Sequence, residues 1–258
     1  MAKQDRVGLI DADILAYQAA SIFEDKIDWD NDGDVRQYPH DIHLAYEYVD
    51  DTLGKWMAEL KLNKVIICLT HKENFRKTIL PTYKENRKGT MKPLHLLPIK
   101  KYLADTYPTY ERPGLEADDV MGILSTHPKL VPGKKVIISI DKDMEQIPGW
   151  LFNPNKDKKA RKVKAIDGMY VHYMQTLTGD ATDGYSGCPG IGPKKAEAIL
   201  NGLDGSTWDR IVNAYAAKGL TEADALVQAQ VAHICQWENY NYEKAEVIPW
   251  QPKEKVCL

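Results

Sequence analysis

Nine carboxylates between residues 11 and 183 fall into four short clusters, and their side chains could do chemistry together. The clusters are Asp11-Ala12-Asp13, Glu116-Ala117-Asp118-Asp119, Asp141-Lys142-Asp143 and Asp180-Ala181-Thr182-Asp183. Two of them directly follow apolar runs, at residues 7–10 and 136–140. Because open α/β sheets place their ligands at the carboxyl ends of buried parallel strands, we expect chemistry at these two strand ends.

Carboxylates gathered in one crevice repel each other and must take up protons or be neutralised by cations. Oxygen-only ligand sets suit Mg²⁺ or Mn²⁺, and two such ions roughly 4 Å apart can clamp the attacking and leaving oxygens of a phosphodiester. Any one cluster alone is equally typical of a helix cap or an acidic turn. Four clusters, two of them at strand ends, favour a metal-dependent phosphodiesterase.

Composition excludes several classes of protein. The chain has 258 residues and a formal net charge of −3, as an ordinary globular protein does. It has no apolar run of about 18 residues and no signal-peptide core, so we expect neither a membrane nor a secreted protein, and place it in the cytoplasm. Its four cysteines show no metal-binding spacing, and we interpret them as reduced thiols: Cys68, Cys188, Cys235 and Cys257.

Positive charge is concentrated in two segments. Residues 71–102 contain nine Lys or Arg against two Glu, and residues 156–164 contain six against one Asp. A basic run alone is usually a solvated face or a loop. Here aromatics and prolines interleave with the first run, and a basic surface facing an acidic metal pocket suits a polyanionic substrate.

Strands and helices alternate along the first part of the chain. Strands are predicted near 6–10, 65–69, 135–140 and 151–152, and periodic apolar residues predict a helix over 41–61. Residues 25–41 are predicted to form an exposed loop or hairpin. The fold class is therefore α/β, with a doubly wound, mainly parallel sheet. We divide the chain into an α/β core, 1–175, which includes a basic segment at about 71–112 that we call the basic arch, and an all-helical region, 176–258.

Two segments carry helix starts that could bind ligands. Glu116 and Asp119 stand three apart and share a helix face, although acids in a first turn also simply complement the helix dipole. Gly190 and Gly192 lie in a glycine-rich turn that precedes Pro193, Lys194 and Lys195. Such a turn lets backbone N–H groups approach a phosphate, and it resembles a helix-hairpin-helix that grips a duplex backbone without reading its sequence.

Taken in order, these segments resemble the flap endonuclease/5′→3′ exonuclease superfamily, and most closely the 5′→3′ exonucleases of short-tailed bacteriophages. The matching stretches are Leu9–Asp13, Asn74–Arg76, Thr82–Arg87, Leu115–Met121, Ile138–Asp143 and Thr178–Ser186, with the glycine-rich turn directly after them. They span most of the chain with family-like spacing.

The resemblance implies a function and roles for individual residues. It implies an enzyme with two Mg²⁺ ions, which Mn²⁺ can replace. The implied substrates are DNA with a 5′ end, a nick or a flap, and RNA primers annealed to DNA. A K⁺ ion is expected at the helix-hairpin-helix. A phage-encoded enzyme of this kind acts in the host cytoplasm. The implied first metal group is Asp11, Glu116, Asp118 and Asp119, and the second is Asp141, Asp143, Asp180 and Asp183. Lys84 and Arg87 are expected to stabilise the scissile phosphate. Tyr83 is expected to stack on the terminal base. The other expected DNA contacts are Arg76, Lys88, Gly190, Gly192, Lys194 and Lys195.

The sequence departs from the family pattern at one position that bears on the metal site. The family usually places an aspartate just after the second strand, where this chain has His71. Imidazole suits Mg²⁺ poorly, so the first metal is expected to have fewer carboxylates or a water in that place. We keep His71 and Asp13 as metal ligands or as residues that support the ligands.

Two other functions remain open from the sequence. Asp11-Ala12-Asp13 after a strand is also the nucleophile pattern of haloacid-dehalogenase phosphatases, but Ile14-Leu15 and the basic arch do not fit that class. A non-catalytic protein that binds DNA structures is the second alternative, which the change to His71 keeps open.

Overall fold

A six-stranded, mostly parallel sheet forms the centre of the computed structural model, which describes residues 5–252. The strand order is β5-β4-β1-β6-β7-β8. The strands are β1 (Arg6–Asp11), β4 (Lys64–Cys68), β5 (Thr109–Tyr110), β6 (Lys134–Ile138), β7 (Gly149–Phe152) and β8 (Arg161–Val163). Every neighbouring pair is parallel except β7 with β8. The central strands β1, β4 and β6 are rich in Val and Ile, as strands buried on both faces are.

Helices cover both faces of this sheet. One face packs against α1 (Ala12–Ile22), α2 (Ile42–Leu60) and α4 (Leu96–Thr106), with Leu15, Leu53 and Ile99 in its core. The other packs against α5 (Ala117–Thr126), with Val120, Met121 and Leu124 in its core. The predicted doubly wound α/β fold class is confirmed. The loop-or-hairpin segment forms an antiparallel hairpin of β2 (Glu24–Ile27) and β3 (Arg36–Pro39).

The predicted basic arch is not one continuous helical element. It contains the four-residue helix α3 (Arg76–Ile79), a single 3₁₀ turn at Glu85–Arg87, and then α4. Tyr83, between the first two, is only 2% exposed. Tyr83 therefore lies in the interior, whereas residues 85–92 are exposed.

The C-terminal part contains α6 (Ala165–Thr178), α7 (Pro193–Leu200), α8 (Thr207–Ala216) and α9 (Glu222–Ala232). Their apolar faces share a separate core that includes Leu177, Leu200, Ile211 and Tyr215. The prediction that this region is all-helical is wrong in one respect, since β9 (Tyr240–Asn241) and β10 (Glu246–Val247) form a short antiparallel pair. Helix α6 crosses the predicted boundary at 175, and the division into two parts stays a prediction.

Two expectations from composition can be compared with the structure. Cys68, Cys188 and Cys235 are buried free thiols, whereas Cys257 lies outside the described residues. Within residues 5–252, no helix is both long and apolar enough to cross a membrane.

Candidate active site

The acids of the first and third clusters meet through a serine. Asp11 is the last residue of β1 and caps α1, accepting a hydrogen bond from the Ile14 N–H at 3.2 Å. Its other oxygen accepts from the Ser139 hydroxyl at 2.7 Å, and that hydroxyl oxygen accepts from the Asp141 N–H at 3.0 Å. Because β1 and β6 are parallel neighbours, both acids lie at the same edge of the sheet. The sequence analysis missed Ser139, whose signal is a polar residue inside an apolar run.

The second cluster comes to this edge on the N-terminus of α5. Glu116 is the N-cap residue, and Asp118 and Asp119 lie in the first turn. The Ala117 N–H donates to the Thr70 hydroxyl at 2.9 Å, which ties the helix start to the loop after β4. Thr70 is a second positioning residue that the sequence analysis missed.

The charge of Asp141 acts on both Asp11 and Asp118. Burial raises the pKa of Asp11 to about 7, with the charges of Asp13 and Asp141 adding to the effect. Burial likewise raises the pKa of Asp118 well above its usual range, and Asp11, Asp141 and Glu116 raise it further. Carboxylates in this arrangement are poorly neutralised by the protein itself, as expected where a cation belongs.

The fourth cluster approaches the same place from the turn after α6. Burial and then the charge of Asp141 raise the pKa of Asp143 to about 6, and Asp180 and Asp183 contribute. Gln175 on α6 donates to the Asp143 carboxylate at 2.7 Å. Asp180 accepts from the N–H groups of Thr182 and Asp183, so the turn is held by its own first acid.

Two basic residues of the segment after α3 contact this acidic cluster. The Lys84 ammonium lies 2.5 Å from a Glu116 oxygen and 3.5 Å from an Asp183 oxygen. Arg87 pairs with Asp183 and donates to the Thr182 carbonyl. Burial lowers the pKa of Lys84, but Glu116 and Asp183 outweigh that effect and hold it above the usual value. Lys84 also has a φ of 56°, a left-handed conformation that non-glycine residues adopt at a cost.

The structure corrects the expected role of Arg76. Its side chain is buried, with the residue 2% exposed, and does not face solvent where DNA could contact it. The guanidinium forms two hydrogen bonds to Asp119, at 2.7 and 2.8 Å, and one to Glu116 at 3.1 Å. It also donates to the carbonyls of Val231 and His233. Arg76 is therefore an internal counter-ion.

Asp119 is the partner of Arg76 and has no exposed surface. Burial raises its pKa, but Arg76 outweighs burial and brings the pKa below its usual value. Its oxygens also accept from the N–H groups of Glu116 and Cys235. With its oxygens held in this way, Asp119 supports Glu116 in place of the expected direct contact with a metal.

Tyr83 differs from the prediction in the same way. Its ring is buried, and its hydroxyl contacts Glu116 and Asp183, each at 2.9 Å. A ring held there does not stack on a terminal base. The Tyr83 hydroxyl instead joins the second and fourth acid clusters.

Three of the remaining predicted residues lie at the margin of the cluster or away from it. Asp13 is paired with Lys100 of α4 at 2.7 Å. The His71 ring accepts from the Glu73 N–H at 3.1 Å, so one ring nitrogen is already used locally. Lys88 is exposed and pairs with Glu85.

The glycine-rich turn forms an exposed surface at the start of α7. Gly190 has a φ of +73°, and Gly192 is the N-cap residue, with Pro193 in the first turn. A Cβ at Gly192 would meet nothing within 4 Å, so its backbone is open to a ligand. Lys194 and Lys195 are exposed, and Lys195 donates to the Gly190 carbonyl at 3.1 Å.

Several proteins with sequences similar to this chain are nucleases. The family model of the 5′-3′ exonuclease N-terminal, resolvase-like domain matches residues 6–170. The chain belongs to this 5′-3′ exonuclease family. The exodeoxyribonuclease of Enterobacteria phage T3 is 31% identical over 95% of this chain and 92% of its own length. The exonuclease of Escherichia phage T7 is 28% identical over 95% and 93%.

A solved structure shows the same fold. The T5 D15 protein crystallised with metal ions superposes with a TM-score of 0.58 at 19% identity, covering 88% of this chain and 93% of its own. The predicted superfamily and the predicted enzyme class, a 5′ nuclease, are confirmed, and membership of this family replaces the haloacid-dehalogenase alternative.

The donor set fits hard divalent cations. The candidate ligands offer oxygen atoms, and three of them carry raised pKa values that a divalent cation would reverse. In residues 5–252, no group of three or more Asp, Glu, His or Cys already stands in the arrangement that holds a metal ion. Ion pairs with Lys84 and Arg87 occupy Glu116 and Asp183 in this structure.

Proposed function

We propose that this family member hydrolyses DNA phosphodiesters from or near a 5′ end at two Mg²⁺ ions, with Mn²⁺ as a substitute. The observation that carries the proposal is the meeting of all four acid clusters at one sheet edge beneath Lys84 and Arg87. Asp11, Glu116, Asp118 and Asp141 are the proposed ligands of one group, and Asp143, Asp180 and Asp183 of the other. Bound Mg²⁺ supplies Lewis acidity toward water and phosphate oxygens.

The side chains of the protein bind and orient the substrate. Lys84 and Arg87 exchange their carboxylate partners for the oxygens of the scissile phosphate and stabilise the charge that develops there. Arg76 and Asp119 hold Glu116 in place from beneath. Tyr83 holds Glu116 and Asp183 together across the site.

The exposed N-terminus of α7 serves the same substrate at a distance. Gly190, Gly192, Lys194 and Lys195 bind backbone phosphates of the duplex without reading bases, and a K⁺ ion held at this turn would add positive charge for the same phosphates. Lys88 adds a solvent-exposed phosphate contact. A solved complex of the T5 D15 flap endonuclease contains DNA and metal ions, which supports DNA as the partner of this fold.

The proposed substrates are duplexes with a 5′ end, a nick or a flap, and RNA–DNA hybrids. Similarity to exonucleases of two phages supports action on replicating DNA in the cytoplasm. If a phage encodes this chain, that is the cytoplasm of the host cell.

Asp141→Asn tests the metal site directly. We expect loss of cleavage with Mg²⁺ present and binding of a flapped duplex close to that of the wild type, because the change removes one ligand charge and keeps the shape. Asp204→Asn, at an exposed position outside the acid clusters, is the matched control and should cleave normally. Undiminished turnover by Asp141→Asn would defeat the assignment, and a wild type that binds without cleaving would favour the non-catalytic alternative.

A digest of end-labelled substrates separates the modes of cleavage. Duplex, nicked and flapped DNA are incubated with Mg²⁺ and product lengths are read on a gel. Mononucleotides from the labelled 5′ end show exonuclease action, whereas a released flap shows endonuclease action. Products that start at the 3′ end would contradict the proposed polarity.

A further inference from the structure

A second concave surface lies at the opposite end of the sheet from the acids. It has a volume of about 640 Å³. The residues that line it lie at the end of α5, at the starts of β7 and α6, and at positions 236–238. Asp118 and Ser125 both belong to α5, and seven residues of helix place them roughly 10 Å apart along its axis. We call this surface the distal pocket, defined by Ser125, Gly149, Lys162, Lys164, Ala165 and Trp237.

The start of α6 gives this pocket donors for an anion. The helix has 14 residues, and its N-cap residue, Lys164, makes no side-chain capping hydrogen bond. N–H groups of a first turn point out of the helix and carry partial positive charge, so they bind anions when no side chain caps them. Lys162 and Lys164 add two positive charges at the rim, against Glu238 in the lining and Asp167 in the first turn of α6.

The distal pocket is also lined by a residue with a buried hydroxyl. Ser125 is 8% exposed, lines the pocket, and its hydroxyl has no hydrogen-bond partner among the described residues. Leaving a buried hydroxyl unpaired costs free energy, which a ligand that reaches the hydroxyl would recover. A Cβ at position 149 would stand 2.9 Å from this hydroxyl oxygen, so a side chain there would press on the hydroxyl.

The pocket also has an aromatic wall. Trp237 is 43% exposed, and its backbone N–H is fixed by the Thr126 hydroxyl at 2.9 Å. His127 packs edge-on against the indole with ring centroids 5.9 Å apart. An exposed, fixed indole beside an anion site is suited to a flat base, since nucleic-acid bases stack favourably on aromatic rings.

We infer that the distal pocket is a nucleotide-binding site separate from the acid cluster. The phosphate binds at the α6 N-terminus with Lys164 and Ser125, and the base lies against Trp237. The basic run at residues 156–164, which the proposed cleavage chemistry does not use, supplies the attraction for such an anion. A free 5′-mononucleotide and one nucleotide of a DNA strand offer the same chemistry.

Binding is measured in EDTA, where no cleavage occurs, so the result does not depend on the proposed nuclease activity. Deoxyadenosine 5′-monophosphate, an unphosphorylated oligothymidylate and inorganic phosphate are titrated separately by calorimetry. The indole N–H resonance of Trp237, identified by its loss in Trp237→Phe, is followed in parallel. We expect saturable binding with a Kd on the order of 1 mM or tighter.

Ala165→Glu and Ala165→Gln form the decisive pair. An acid at the first helical position complements the helix dipole, so Ala165→Glu should fold at least as stably as the wild type. It should nevertheless weaken nucleotide binding by about tenfold or more through repulsion, whereas Ala165→Gln, of equal size, should bind nearly as the wild type does. Trp237→Leu should weaken the mononucleotide and leave inorganic phosphate unchanged.

Each outcome bears on the inference. Tighter binding of the mononucleotide assigns the pocket to a free ligand, and tighter binding of the oligonucleotide assigns it to a DNA strand. Binding that Ala165→Glu does not weaken, or that leaves the Trp237 resonance unmoved, overturns the inference. Cleavage by Ala165→Glu with Mg²⁺ should equal that of the wild type, so failure of this site and failure of the proposed function remain distinguishable.

Discussion

At the scale of single residues, two kinds of charge meet in this site. Asp11, Asp118 and Asp143 have pKa values raised by burial and by neighbouring carboxylates, whereas Glu116 and Asp119 are neutralised by Arg76 and Lys84. Burial raises the pKa of Glu116, but Lys84 and Arg76 together outweigh it and lower the pKa. Buried acids with raised pKa values are the groups whose charge the protein itself neutralises least.

Lys84 should matter for chemistry more than for binding. Removal of one group that stabilises transition-state charge typically costs about 10²- to 10³-fold in rate, and we expect Lys84→Ala to slow single-turnover cleavage by about that amount. Lys88→Ala is the matched control, because Lys88 is exposed and pairs only with the nearby Glu85. Lys88→Ala should cleave normally at saturating DNA. Its slope of log affinity against log salt concentration should be smaller by about one. Equal rates for the two variants would contradict the role given to Lys84.

Arg76 and Asp119 should show strong coupling in stability. Removing one partner of a buried ion pair leaves the other charge uncompensated, so Arg76→Met and Asp119→Asn should each lower the free energy of unfolding by about 3–5 kcal/mol. The double variant should lose much less than the sum of the two. Urea unfolding of the four proteins measures this, and simple additivity would show that the pair does not act as a unit.

The sequence predicted which acids gather but not which basic residue neutralises them. Strand-end positions follow from apolar runs that precede Asp11 and Asp141. The burial of Arg76 depends instead on carbonyls at Val231 and His233, more than 150 residues away in the chain. No local sequence pattern indicates that Arg76 is buried. Because Arg76 lies in a basic segment, the sequence predicted that it contacts DNA.

At the scale of elements, the turn between α6 and α7 has positions with different roles. A Cβ at Gly187, whose φ is +64°, would lie 2.3 Å from the Gly179 nitrogen, whereas a Cβ at Gly192 would meet nothing. The first glycine is required by the fold of the turn. The second is free for a ligand.

Gly187→Ala and Gly192→Ala should therefore separate stability from DNA binding. We expect Gly187→Ala to lower the thermal midpoint clearly, because both its backbone conformation and its contacts exclude a methyl group. Gly192→Ala should unfold at nearly the wild-type temperature and bind duplex DNA more weakly, since the methyl group would face the phosphate. Unchanged duplex affinity in Gly192→Ala would exclude a close backbone contact there.

The elements themselves were largely predictable, and their irregular parts were not. Four of the five parallel strands, β1, β4, β6 and β7, and the helices α2 and α5 follow apolar patterns in the sequence, whereas the two-residue strand β5 was not predicted. The segment at 71–112 and the pair β9–β10 have short elements whose form is set by contacts with the core. Periodicity over a few residues is too weak to reveal them.

At the scale of the whole molecule, the C-terminal segment closes the helical core against the sheet domain. His172 of α6 is buried, with its ring 4.9 Å from the Trp250 ring and 4.8 Å from that of His233, centroid to centroid. Its Nε2 lies 2.8 Å from the Ala229 carbonyl of α9, which fixes Nε2 as the donor. Burial lowers the pKa of His172 from 6.5 to about 4.

This burial predicts a pH dependence of stability. Between pH 6.5 and about 4 the unfolded chain carries a proton on His172 and the folded chain does not, so stability is fully present above pH 6.5 and is lost as pH falls. The difference corresponds to at most about 3 kcal/mol. His172→Gln keeps a donor for the Ala229 carbonyl and removes the titration, so its unfolding free energy should vary less with pH. Parallel pH profiles for the two proteins would refute the assignment.

The bonds from Arg76 and Asp119 to Val231, His233 and Cys235 have a consequence during synthesis. The clustered acids are synthesised before the carbonyls that fix Arg76. A nascent chain that stops before residue 231 has all nine clustered acids but lacks the Val231 and His233 carbonyls that hold the Arg76 guanidinium beside Glu116 and Asp119. Nucleolytic competence should therefore arise only after residues 231–235 have been synthesised and have folded against Arg76 and Asp119.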